Sequence, residues 1–170
     1  MAAHLEIAKT AFGEAEKGFE LISEVTTRID DDTIATTRIY EKEEPTSYYS
    51  TWTNKTYEGR VLYTHNNFDW AIVTAQGNFS WDGDTAKVSS AAGNATRAFS
   101  GSSIDVKKGT TRGYSDCGSN ALLGNKYAYV EQKATATNGT TTHNYTFELV
   151  VNRNGKTHTN PSYGEYWEVN

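Results

Sequence analysis

The side chains that most often catalyse reactions are few in this chain. It contains one cysteine, Cys117, and four histidines among its 170 residues. Thiol catalysis needs a histidine beside the cysteine, but the residues around Cys117 carry no supporting signature. No phosphate-binding, serine-hydrolase or metalloprotease motif is present. We therefore predict no catalytic residues. A catalytic site inside a small-ligand β-barrel, which leaves little trace in a sequence, stays open as an alternative.

Metal-binding patterns are also absent from the sequence. His65, His143 and His158 lack the spacing of zinc ligands, although His143 and His158 fall on neighbouring predicted strands, which leaves a cross-strand pair open as an alternative. Two acidic turns, at residues 30–32 and 82–84, lack the complete oxygen-ligand spacing of a calcium loop. Aspartate is common in turns for backbone reasons alone. We predict no metal site and no cofactor.

Aromatic side chains offer the most chemistry in this sequence. They make up 12% of the residues, with 11 Tyr and 4 Trp, and many fall between residues 48 and 81. An exposed Tyr or Trp presents a flat apolar face with a polar group, which suits sugar rings, lipid headgroups and protein surfaces. The predicted ligand-binding residues are Tyr48, Tyr49, Trp52, Tyr57, Trp70, Trp81, Arg112 and Tyr114.

The charge balance excludes one class of partner. The net charge is −5 and the isoelectric point is about 5.4, and the densest basic stretch, residues 106–112, is short. Affinity for nucleic acid depends mainly on phosphate contacts from Lys and Arg. We therefore expect no nucleic-acid partner.

The elements that position these residues begin with a predicted amphipathic helix over residues 5–25. Its apolar residues follow a regular 3-4 spacing, which is typical of a helix with one buried face. Gly13 and Gly18 interrupt this helix. Each glycine lowers the stability of a helix interior by about 1 kcal/mol relative to Ala. The predicted assembly or membrane-contacting residues are Leu5, Phe12, Phe19 and Ile22. We expect this face to pack on the protein's own sheet, with a second copy or a membrane as alternatives.

The rest of the chain reads as short strands and turns. Residues 24–30 and 33–43 predict one hairpin, residues 47–57, 59–64, 68–75 and 77–81 predict further strands, and two Asn-Gly pairs, at Asn138 and Asn154, predict hairpin turns near the C-terminus. The predicted organisation is a single domain, residues 1–170: a helix (1–25), a β meander (26–90), a Gly/Ser-rich loop region (91–125), with residues 109–125 as one long loop, and a second β meander (126–170). The predicted fold class is mainly β, a single-domain antiparallel β-sandwich or barrel with one N-terminal amphipathic α-helix.

This plan resembles that of actinoporin-like cytolysins. The resemblance rests on the predicted helix over residues 5–25 and on the aromatic stretch from Tyr48 to Trp81. It implies a β-sandwich that binds lipid headgroups through Tyr and Trp and acts on membranes through its helix. The resemblance is one of plan, without a shared motif, so no family is assigned.

The leading functional prediction is a non-catalytic recognition protein. It would bind a glycan or a lipid headgroup surface through exposed aromatics, with the loop at residues 109–125, and would contact membranes through its helix. The alternative is a self-assembling structural subunit of a virion, tail or fibre, which would make the partner a copy of the same chain. The N-terminus carries no ordinary signal peptide and no apolar run is long enough to span a membrane. We therefore expect a soluble chain made in the cytoplasm and then released or assembled.

Overall fold

A computed structural model describes residues 12–45, 51–115 and 126–160 as nine antiparallel strands. The strands are β1 (Glu20–Arg28), β2 (Thr33–Glu43), β3 (Thr53–His65), β4 (Phe68–Trp81), β5 (Ala86–Arg97), β6 (Asp105–Tyr114), β7 (Tyr127–Asn138), β8 (Thr141–Asn152) and β9 (Thr157–Asn160). They form a five-stranded sheet in the order β1-β2-β3-β4-β5 and a four-stranded sheet in the order β6-β7-β8-β9. Within each sheet the strands pair in sequence order, as expected for a meander.

The two sheets pack against each other as in a β-sandwich. Strands β4 and β5 of the first sheet contact β7 and β8 of the second. Where β5 and β6 lie side by side, the Ser115 hydroxyl joins the sheets, because it accepts from the Val88 N–H at 3.1 Å and donates to the Val88 carbonyl at 3.3 Å. The mainly β, antiparallel part of the predicted fold class is therefore confirmed, and the structure shows the sandwich rather than the barrel, the two architectures that the sequence left open.

The core between the sheets consists of aromatic and small apolar side chains. Tyr57, Tyr63, Phe79, Phe147 and Leu149 are almost completely buried. Successive side chains of a strand point to opposite faces, so the core-facing positions alternate with positions on the outer faces of the sandwich. This alternation separates the packed interior from the two outer faces that carry polar residues.

Two glycines that resemble strand breaks in the sequence lie inside long strands. A Cβ atom at Gly59 would lie 2.9 Å from the Phe147 ring, and one at Gly77 would lie 2.7 Å from a Val130 methyl group. Both distances are below van der Waals contact, so these positions leave room for side chains of the opposite sheet. The predicted breaks near residues 58 and 76 are therefore wrong, and β3 and β4 each run through them.

The predicted N-terminal helix is also wrong in the part of the chain that the structure describes. Residues 13–19 form no helix, and Glu20–Arg28 form β1, paired with β2. Gly13 and Gly18 have φ values of +68° and +89°, whereas a continuous α-helix needs φ near −63°. The two glycines therefore end any helix before residue 20. Residues 1–11, including Leu5, lie outside the described residues.

The hairpin predictions hold better than the loop prediction. The acidic turn at residues 30–32 joins β1 to β2, and turns follow Asn138 and Asn152. In the turn after Asn138, Gly139 (φ +62°) is the first residue of the two-residue loop. A type II′ turn has glycine at this position, so the turn is of type II′ and not of the type I′ expected for Asn-Gly. The predicted loop at 109–125 begins inside β6, and residues 116–125 lie outside the described residues.

The described residues form no helix long and apolar enough to cross a lipid bilayer.

Candidate functional site

A cavity of about 330 Å³ lies on the outer face of the five-stranded sheet. We call it the outer-face pocket. Antiparallel register sets its side chains in rows across β3, β4 and β5: Arg60 pairs with Thr74 and Thr74 with Asn94. The neighbouring row holds Glu58, Gln76 and Ala92. The remaining wall comes from the N-terminal segment and from Ile72, Gly93 and Thr96.

A buried ion pair forms the floor of the outer-face pocket. Arg60 donates through Nη2 to Glu58 Oε2 at 3.0 Å, and the guanidinium lies over the Tyr40 ring, 4.7 Å from its centroid. Glu58 is only 3% exposed. Burial raises the pKa of Glu58, and the charge of Arg60 offsets part of this increase. The pair therefore holds two opposite charges together below a surface of neutral polar groups.

The N-terminal segment is held over the sheet by the same arginine. Arg60 Nη1 donates to the carbonyl oxygen of Phe12 at 2.9 Å and to that of Glu14 at 3.3 Å. The Phe12 ring packs with Leu62, Ile72 and Ala98. Arg60 thus has partners on three sides, and its guanidinium fixes one wall of the outer-face pocket.

A second arginine, Arg38, also contacts the N-terminal segment. The Arg38 guanidinium lies 4.9 Å from the centroid of the Phe12 ring, and its Nε donates to Glu24 Oε2 at 2.6 Å. Both arginines on this face are therefore engaged with carboxylates and with the N-terminal segment.

The outer face of the four-stranded sheet carries a different set of polar residues. Antiparallel register places Arg112, Glu131, Glu148 and Asn160 in one row across β6 to β9. Glu148 is buried. Burial and the adjacent charge of Glu131 raise the pKa of Glu148 to about 7.

Beside that row, Tyr114 and Tyr129 stack with ring centroids 4.6 Å apart. Arg112 donates to the Tyr114 hydroxyl at 3.3 Å. The structure therefore brings together Arg112 and Tyr114, two of the predicted ligand-binding residues, on an open sheet surface.

A third cluster lies at the end of the core where β3 turns into β4. The rings of His65 and His143 stack 3.6 Å apart. His65 shares hydrogen bonds with Thr33 Oγ1 at 2.9 Å and with Tyr145 Oη at 2.6 Å, while Trp70 meets it edge-on. Burial, followed by the neighbouring His143, lowers the pKa of His65 to about 4. Both ring nitrogens have partners, so this cluster is built to stay neutral.

The other predicted aromatic residues do not form one exposed surface. Tyr57 and Trp70 are buried. Trp81 is half-buried and stacks on Tyr57 at 6.2 Å, and Trp52 lies under Lys87, whose Nζ is 4.5 Å from the ring centroid. Tyr48 and Tyr49 lie outside the described residues. The described aromatics therefore serve mainly the core.

The residues predicted for assembly or membrane contact also lie in different places and form no common surface. Phe12 packs on the outer face of the first sheet, against Leu62, Ile72 and Ala98. Phe19 lies beneath Lys42, with Nζ 5.8 Å from the ring centroid, and Ile22 is exposed on β1. They share no helical face.

Sequence reasoning missed the outer-face pocket, although a signal was present. On β3, the polar residues Glu58 and Arg60 alternate with Tyr57, Gly59 and Val61. This period of two indicates a strand whose second face is polar. The alternation continues on β4 through Thr74 and Gln76. His143 and His158, for which neighbouring strands left a cross-strand pair open, do not lie opposite each other: His143 lies opposite Ala136 and His158 opposite Val150.

Residues 12–45, 51–115 and 126–160 hold no group of three or more His, Cys, Asp or Glu side chains placed to share an ion. Comparison with protein-family models, with curated proteins and with solved structures found no match for this chain.

Proposed function

We propose that this protein is a non-catalytic recognition protein that binds a short, neutral glycan in the outer-face pocket. The observation that carries the proposal is the pocket itself, in which hydroxyl and amide side chains from β4 and β5 surround a buried and internally neutralised ion pair. Its volume, about 330 Å³, falls at the lower end of the range for small-ligand sites, about 300–1,000 Å³.

The side chains that remain free to bind are suited to sugar hydroxyls. Gln76 and Asn94 each provide an amide with two donors and an acceptor, and Thr74 and Thr96 each provide a hydroxyl. Ile72 and Ala92 add apolar surface for the C–H groups of a sugar ring. This mixture of orienting polar groups with apolar contact is typical of specific small-molecule sites.

A neutral ligand fits better than a phosphate-bearing lipid headgroup. Phosphate recognition depends on cationic donors with free capacity, but Arg60 already binds Glu58 and two backbone carbonyls. Glu16 adds a negative charge to the wall of the pocket. These contacts support the glycan over the lipid headgroup, the two ligand classes that the sequence favoured together.

A glycan array with matched variants tests the proposal. The wild-type chain, produced in bacteria so that it carries no glycans, is compared with Gln76→Ala and Asn94→Ala. Each loses one or two hydrogen bonds, which predicts about tenfold weaker binding to any ligand on the array. The matched control is Asn144→Ala, because Asn144 is also an exposed strand asparagine but lies on the second sheet.

The proposal fails if the wild-type chain binds no glycan on the array. It also fails if Asn144→Ala weakens binding as much as Asn94→Ala does.

A further inference from the structure

Strand β1 has an exposure pattern unlike that of the strands beside it. It is the outermost strand of the five-stranded sheet and pairs only with β2 among the described strands. Eight of its nine residues are exposed. Leu21, Ile22 and Val25 are 44%, 42% and 53% exposed, and they are three of the five large hydrophobic residues exposed in the described chain. Exposed apolar edge strands are templates for pairing with another chain.

The backbone of β1 is arranged for a second ladder. The Ile29 N–H donates to the Thr33 carbonyl at 2.9 Å, and residues bonded to the partner strand alternate along an antiparallel pair. It follows that the N–H and C=O groups of Glu24, Thr26 and Arg28 face away from β2. The one irregularity in β1 falls between Leu21 and Ser23, so these three residues lie in the regular part of the strand.

The side chains of the same segment are complementary to themselves. In an antiparallel pair of β1 strands centred on Thr26, Glu24 of each copy lies opposite Arg28 of the other, and Val25 lies opposite Thr27. Opposite charges and β-branched pairs across strands each stabilise a sheet. Glu24 already contacts Arg38, so the pairing places it between two guanidinium groups.

From these observations we infer that β1 pairs with β1 of a second copy of this chain, antiparallel and centred on Thr26, to form a two-fold dimer with a continuous ten-stranded sheet. The same surface on both copies makes the contact closed, so it ends at two chains rather than continuing into a fibre. This surface is separate from the outer-face pocket and does not depend on a ligand there.

Sedimentation velocity over a range of protein concentrations tests the pairing with two matched substitutions. Thr26→Pro removes the N–H at the centre of the new ladder while leaving the bonds to β2 intact, since proline is tolerated where the N–H faces away from the partner strand. Thr26→Ala removes the same side chain and keeps that N–H. We expect dimers of the wild-type chain and of Thr26→Ala, and monomers of Thr26→Pro with an unchanged circular dichroism spectrum.

A second set of variants tests the charge pairing and the register of the two β1 strands. Arg28→Glu places two carboxylates opposite each other and should weaken dimerisation at least tenfold, whereas Arg28→Lys should dimerise. In a Cys117→Ser background, Thr26→Cys should form a disulfide-linked dimer under oxidation, because residue 26 faces its own copy within disulfide range. Thr27→Cys should not, because it faces Val25.

Wild-type chain that stays monomeric at every concentration overturns the inference. Equal dimerisation of Thr26→Pro and Thr26→Ala overturns it as well, and so does equal cross-linking at residues 26 and 27.

Discussion

The outer faces of the two sheets each bury a glutamate, and they treat its charge in opposite ways. On the five-stranded sheet, Glu58 lies beside Arg60, with 3.0 Å between their charged atoms. On the four-stranded sheet, Glu148 lies opposite Glu131, another carboxylate. The contrast shows that burial alone does not give a site its chemistry, which depends on the charge beside the glutamate: Arg60 two residues along the same strand for Glu58, and Glu131 on the paired strand for Glu148.

The first arrangement favours a fixed structure and the second favours sensitivity to pH. A buried ion pair with further hydrogen bonds holds its geometry, and the loss of one partner leaves the other charge buried and uncompensated. A buried carboxyl beside a like charge holds its proton instead. The outer-face pocket is therefore the rigid surface of the two, which suits selective binding.

The largest effect is expected from removing the guanidinium on the first face. Arg60→Ala leaves Glu58 buried without its counter-charge and releases the carbonyls of Phe12 and Glu14. We expect the free energy of unfolding to fall by about 3–5 kcal/mol, measured by urea denaturation. Arg112→Ala, which removes an exposed arginine from the second face, should cost less than about 0.5 kcal/mol. Equal losses for the two variants would erase the contrast between the faces.

Glu148 should make the folded state less stable as the pH rises. Its pKa is raised from 4.5 to about 7 when folded. The folded state therefore holds this proton more tightly than the unfolded state. Its contribution is complete below pH 4.5 and is lost as the pH rises to about 7, a change of about 3 kcal/mol.

The Glu148→Gln variant should remove that dependence while Glu131→Gln should only reduce it, since burial is the larger cause of the shift. Urea denaturation of both variants between pH 4 and 8 provides the measurement. A wild-type slope retained in Glu148→Gln would assign it to another group.

His65 should produce the opposite slope, which makes it a test of the sign. Its folded pKa is lowered from 6.5 to about 4 by burial. The neutral imidazole therefore stabilises the folded state above pH 6.5, and about 3 kcal/mol is lost as the pH falls towards 4. In the wild-type chain this loss and the gain from Glu148 offset each other between pH 4.5 and 6.5.

The His65→Phe variant should remove the His65 contribution, so that its stability falls more steeply than that of the wild-type chain as the pH rises from 4.5 to 6.5. A wild-type chain and a His65→Phe variant with parallel pH profiles would show that His65 titrates normally.

The smallest effect concerns the glycines between the two sheets. Gly77→Ala places a methyl group against Val130, and we expect a loss of about 1–3 kcal/mol from overpacking. Gly101→Ala is the control, because nothing lies within 4 Å of its added Cβ and it should be neutral or slightly stabilising. Thermal unfolding of both variants provides the measurement. An unchanged stability of Gly77→Ala would contradict the account in which Gly77 leaves room for Val130.

The sequence predicts those parts of the fold that depend on neighbouring residues, and it does not predict contacts between the two sheets. Alternation of apolar and polar residues predicted the antiparallel strands, the first hairpin and the C-terminal hairpins, because each depends on neighbouring residues, but it left sandwich and barrel both open. The strand boundaries predicted at Gly59 and Gly77 were wrong, because these glycines leave room for Phe147 and Val130 of the other sheet and do not end a strand. No local pattern records such a contact between distant segments.

The helix prediction failed for a related reason. The 3-4 spacing of apolar residues over 5–22 is genuine, but a spacing does not fix φ. Gly13 and Gly18 adopt left-handed conformations, and the β-branched run from Val25 to Thr27 favours a strand. The ladder with β2 then outweighs the helical pattern, which is how tertiary pairing commonly overrides propensity.

The candidate site was harder to predict than the fold. Arg112 and Tyr114 lie together, but most of the other described aromatics fill the core, because a chain with few leucines has little else with which to fill it. The outer-face pocket depends on the register of three strands, which aligns Arg60, Thr74 and Asn94. Residues that are far apart in sequence meet there, and only the pairing reveals it.

A titration of the isotope-labelled protein with neutral di- to tetrasaccharides, followed by amide chemical shifts, tests the central claim most directly. We predict shifts concentrated at Thr74, Gln76, Asn94 and Thr96, with little change on β6 and β7. Shifts concentrated at Arg112 and Tyr114, or no shift with any saccharide of the panel, would contradict the assignment of recognition to the outer-face pocket.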